Sequence, residues 1–128
     1  MKDKTKTLHT ALQNSDKKQA EIFFTKILDL QLIKTFNISK DLSNEVFGID
    51  QDVIVNVYGN QEACFEVFIS KKQIEKGYEH TCIEINDKKD FIKKCKKYGI
   101  EPIFVKKGTK TLLFIKDFSG NLFEIKEK

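Results

Sequence analysis

His9 and His80 are the only histidines among the 128 residues, and each opens a stretch that matches the other. The first reads His9-Thr10-Ala11-Leu12-Gln13-Asn14-Ser15-Asp16-Lys17-Lys18, the second His80-Thr81-Cys82-Ile83-Glu84-Ile85-Asn86-Asp87-Lys88-Lys89. Each half also closes on a Phe-Glu-apolar triplet, Phe65-Glu66-Val67 and Phe123-Glu124-Ile125. A repeat of this kind organises a fold. A solitary strand His or Glu is more often an ordinary core or surface residue, and what singles these four out is their recurrence at equivalent places. Two imidazoles and two carboxylates suit one first-row divalent ion, Ni or Zn foremost, with Co or Mn also compatible. A buried carboxylate is costly unless it is paired or binds metal, which gives the set a physical reason. Catalytic metal sites keep positions open for water or substrate.

These residues need elements that aim them. Residues 7–13 alternate as a strand should. Asp16 and Gln19 make a helix start resembling a capping box, followed by Ala20, Phe23, Phe24, Ile27 and Leu28 at helical spacing. The second half repeats this with a strand over 78–85, Asp87 as cap, and Phe91, Ile92, Cys95 and Tyr98 on one helix face. Gly99 suits a C-cap, with Pro102 just beyond it. Three strands are predicted after each helix, at 31–37, 53–58 and 63–70, then at 102–106, 111–116 and 122–127. A short helix over 41–48 joins the first two, and 117–121 is a turn by composition. The reading is α+β, βαβββ twice, as modules 5–70 and 77–128 joined by a Lys-rich stretch.

Successive strand residues point to opposite faces. Leu8, Thr10 and Leu12, like Thr81, Ile83 and Ile85, are assigned to the helix side, which sends His9 and His80 to the other. Phe65, Val67 and Ile69 oppose Glu66, as Phe123 and Ile125 oppose Glu124. If the two modules form a curved, half-open mixed sheet around a shared cavity, the four donors converge there. Cys64 and Cys82 share faces with Glu66 and His80, which makes them wall residues.

The chain as a whole narrows the function classes. Its length fits one domain. All 23 basic residues are Lys, and the net charge is +4. Without Arg there is no planar fork for phosphates or guanine edges, so a small-molecule substrate is expected and nucleic acid is not. The Lys run around Cys95 flanks an apolar stripe, as a solvated helix face does. No apolar run nears the ~20 residues that span a bilayer, so no membrane partner is expected. The absence of a signal-like opening and an odd set of three cysteines fit a cytoplasmic location with reduced thiols.

With its repeat and its His/Glu pairs, the chain resembles the vicinal-oxygen-chelate superfamily, and within it the glyoxalase I branch. The resemblance covers nearly the whole chain. Leu8 to Asp16 and Phe23 to Leu30 resemble the opening strand and helix. Asp117 to Glu124 resembles the closing turn and strand, with Phe118 where a Pro is usual. It implies one octahedral metal held by His9, Glu66, His80 and Glu124 and completed by waters, often in a homodimer whose sites use both chains. The implied substrate is a hemithioacetal of a 2-oxoaldehyde and a thiol. The implied catalytic residues are Glu124, shuttling a proton between two carbons, and Glu66. The Arg that grips glutathione in that branch falls at about Gln13 here, so another thiol is to be considered. Relatives that transfer a thiol to an epoxide antibiotic, or cleave rings, typically use two His and one Glu, and Glu66 argues against both. The alternatives are an acyl-CoA epimerase-like enzyme and a metal-free drug-binding protein of the bleomycin-resistance type.

Overall fold

The computed structural model describes residues 4–71 and 77–128, so part of the stretch joining the modules lies outside it. The first module runs β1 (Thr10–Asn14), α1 (Lys17–Glu21), β2 (Gln31–Ile38), α2 (Lys40–Phe47), β3 (Val53–Gly59) and β4 (Cys64–Ile69). The second runs β5 (Thr81–Ile85), α3 (Lys88–Lys97), β6 (Ile103–Lys107), β7 (Lys110–Lys116) and β8 (Leu122–Glu127). Each builds its own four-stranded sheet, in the orders β1-β4-β3-β2 and β5-β8-β7-β6. The first strand of each lies parallel to the last, while the other pairings are antiparallel. Two βαβββ modules in an α+β domain are thus observed.

The helix starts follow from their caps. The Asp16 carboxylate accepts from the Gln19 amide at 3.0 Å, and Asp87 accepts from the Asp90 amide at 3.1 Å. Each satisfies an amide that the first helical turn leaves unpaired. Helix α1 does not stay α-helical. It widens into a π-helical stretch, Ile22–Ile27, in which the Leu28 amide reaches the Phe23 carbonyl. That stretch turns both Phe23 and Phe24 fully inward. Helix α2 ends at Gly48, whose φ of 70° lets its amide close back on Asn44.

The two modules share one core. Phe24 stacks on Tyr58 at 5.2 Å, meets Phe65 at 5.5 Å, and reaches Phe123 of the other sheet at 6.5 Å. Phe65 and Phe123 themselves lie 6.0 Å apart. Val67, Ile115 and Cys95 are fully buried in the same cluster. The helix-facing sides of the two sheets therefore face each other. Asn56 meets the buried Tyr58 hydroxyl at 3.2 Å, so its polar end is satisfied.

A second seam joins the modules through polar groups. The turn between β7 and β8 is built on Asp117, which is nearly fully buried. Its carboxylate accepts from the Ser119 and Asn121 amides, from the Asn121 side chain, and from Asn14 at the end of β1. Asn121 also donates to the Gln13 carbonyl at 2.8 Å, and the Ser15 amide to Ser119.

Some expectations shift. Strand β1 begins at Thr10 and β5 at Thr81, so His9 and His80 stand just ahead of their strands. Leu8 was assigned to the helix side and is instead 73% exposed, because the ladder that would hold its orientation has not begun.

Candidate metal and substrate site

Strands β4 and β8 carry Glu66 and Glu124 in the middle of their sheets. Ala11 pairs with Glu66 and Cys82 with Glu124 on one side, while Val57 and Phe114 pair with them on the other. The two glutamates thus occupy equivalent ladder positions. Their neighbours Phe65, Val67, Phe123 and Ile125 are buried in the core, as the alternation requires, and both glutamates leave by the other face.

Each glutamate meets the histidine of its own module. His9 Nε2 lies 3.2 Å from Glu66 Oε1, and His80 Nε2 lies 3.7 Å from Glu124 Oε1. The glutamate side chains are about one-fifth exposed and the histidines nearly half exposed, so both pairs are open to solvent. His80 Nδ1 is 2.8 Å from the Tyr78 carbonyl, which can only accept, so Nδ1 carries the proton. Nε2 is then free to offer its lone pair beside the Glu124 oxygen. A backbone carbonyl that fixes the tautomer in this way is the usual support of a metal-binding His.

The four residues form two pairs, and the chain alone does not gather them into a quartet. Because the sheets pack through their helix-facing sides, the faces bearing the pairs look away from each other. Among the described residues no group of three or more His, Cys, Asp or Glu could hold a metal. The sequence leaves open whether the modules join their donors within one chain or across two. Each pair fits half of a divalent-ion site: one imidazole nitrogen, one carboxylate oxygen and open space around them.

Cys64 is half-buried and Cys82 exposed. Both line a crevice with His9, where the start of β1, the β3–β4 turn and β5 meet. A second feature, which strand parity does not predict, is a groove of about 170 Å³ on the Glu66 face of the first sheet. Helix α2 forms its outer wall, with Phe47 against Phe68 at 5.4 Å, edge to face. The Gln51 side chain donates to Ser70 at 2.9 Å on its rim. The sequence predicts α2 as a connection, and the apolar spacing of Leu42, Val46 and Phe47 is the signal for its further role as a wall. In the second module β6 turns straight into β7, no helix among the described residues covers the corresponding face, and Ile103 and Val105 are exposed there.

No family profile and no curated protein matches the chain by sequence. Solved structures do match. FosX, a genomically encoded fosfomycin resistance protein from Listeria monocytogenes, aligns over 98% of this chain and 95% of its own at 14% identity, with a TM-score of 0.74. A glyoxalase family protein from Bacillus cereus aligns over 99% and 98% at 18% identity, with a TM-score of 0.73. The trypanothione-dependent glyoxalase I of Leishmania major aligns over 97% and 87% at 16% identity, with a TM-score of 0.71. The chain therefore has the paired βαβββ fold of these glyoxalase and fosfomycin-resistance proteins.

Proposed function

We propose that this chain is a metal-dependent lyase or isomerase of the glyoxalase I type. It would act as a homodimer on a hemithioacetal or a similar small substrate with two adjacent oxygens. The observation that carries the reading is the pair of His/Glu contacts at equivalent positions of both modules. A second copy would set its His80 and Glu124 opposite His9 and Glu66, giving the four donors that a Ni, Zn, Co or Mn ion takes. Exposed apolar residues occur in each module, Leu42 and Val46 on α2 and Ile103 and Val105 on β6, and are surface that such a pairing would cover. The fold is also that of the Listeria FosX, a point mutant of which has been solved with Mn(II) and 1S,2S-dihydroxypropylphosphonic acid.

A bound divalent ion supplies positive charge to oppose the negative charge that develops on the substrate's two oxygens. Glu124 would take a proton from one substrate carbon and return it to the next, a role supported by its position beside His80 and outside the core. Glu66 fills the equivalent place in the other half. Gln13 is neutral where a glutathione-gripping cation would stand, which favours a thiol other than glutathione.

Protein loaded with Ni or Zn should convert hemithioacetals of several thiols to thioesters. Metal-loaded protein that is inactive with all of them would sink the reading. The apolar groove also favours a second reading, a metal-free drug-binding protein. Metal content of the protein as purified separates the two, since the binder would contain none.

A further inference from the structure

The groove beneath α2 lies on the same sheet face as His9 and Glu66. Its lining includes Ala11, whose strand position pairs with that of Glu66 and stands two residues from His9, about 7 Å along the strand. Phe47, Ile49, Val53 and Phe68 supply its apolar walls. Its polar lining is neutral, with Ser43 nearly fully buried and Gln13, Gln51 and Ser70 toward the rim. Among the described residues no Lys, Asp or Glu lines it, although charged residues make up 33% of the chain. An anion or cation seated there would lose part of its hydration without a countercharge, which disfavours it. An uncharged group suffers no such loss. Size narrows the choice, because an apolar protein cavity of about 150 Å³ accepts a benzene ring. The edge-to-face pair of Phe47 and Phe68 offers a ring a further aromatic contact.

We infer that the groove is the subsite for the substrate's side arm, and that this arm is uncharged and about the size of one aromatic ring. The inference rests on the reading of the His9–Glu66 face as the reacting end. The substrate class is then a compact aromatic or branched alkyl compound bearing two adjacent oxygens, rather than one with a phosphonate or carboxylate arm.

The test uses the full chain with metal removed by a chelator, so that a failure of the metal reading cannot decide it. Backbone amide shifts are followed while three probes are added. These are 2-hydroxyacetophenone (ring, no charge), hydroxyacetone (the same oxygens, no ring) and phenylphosphonate (ring and charge). The first should move the amides of Ser43, Phe47, Gln51 and Phe68 and bind at least tenfold more tightly than either of the others. Ala11→Leu, at an exposed position on the groove wall, should weaken it tenfold or more. Equal binding of hydroxyacetone, preference for the phosphonate, or shifts confined to other parts of the chain would overturn the inference. Docking of the ring by a protein that takes up no metal would keep this subsite and discard the metal reading.

Discussion

At the scale of residues, the sheet alternation does most of the chemistry's positioning. Burial of Phe65 and Val67, and of Phe123 and Ile125, obliges Glu66 and Glu124 to leave the core, and each finds an imidazole within 4 Å. That much was legible in the sequence, because strand parity needs only the identity of neighbours. Glu124→Gln keeps the shape and removes the basic oxygen. It should lower turnover by about 10²–10⁴-fold, the usual worth of a general base, measured on metal-loaded protein. Cys95 makes a separate prediction. Burial pushes its thiol up from 9.0 to about 11, with nearby Lys94 opposing the shift. The folded state thus keeps the thiol neutral where the unfolded chain ionises it. The stability this contributes is complete below pH 9 and fades as pH rises toward 11. Urea unfolding of wild type and Cys95→Ala should therefore show a gap that narrows over that range, and a constant gap would contradict the assignment.

At the scale of elements, the caps and turns were readable because they depend on local chemistry. Asp16 and Asp87 cap as their spacing requires, and 117–121 forms its turn around Asp117. Asp87→Ala should cost about 1 kcal/mol in chemical denaturation, and Asp87→Ser should recover most of it. The π-helical turn at Ile22–Ile27 was not legible, since the same apolar residues suit an ordinary helix and only packing against two sheets selects the wider turn. The bond from Asn14 to Asp117 was equally hidden, because it joins residues of different modules. Helix α2 was found in place, but its role as the wall of a groove depends on where it lands on the sheet.

At the scale of the whole molecule, the modules unfold together if their aromatic core is one unit. Phe24 touches Tyr58 and Phe65 of one sheet and Phe123 of the other. Phe24→Ala should cost about 3–5 kcal/mol and leave a single transition seen alike by probes in both modules. Two separated transitions would show that the halves are independent. Parity told which sheet face each donor takes, but not how the two sheets meet, so it left open whether a site closes within one chain or across two. Packing through the helix-facing sides buries the aromatic cluster and leaves the two His/Glu pairs on outer faces. The central claim is thus that two copies complete one site from His9 and Glu66 of one and His80 and Glu124 of the other. Its most direct test is metal content after unfolding and refolding His9→Ala and His80→Ala chains together. Each variant alone should hold little metal. The mixture should recover about one-quarter of the wild-type content, because half the dimers are mixed and each of those has one intact site of two. A mixture as empty as its components, or full metal content in either variant alone, would contradict the account.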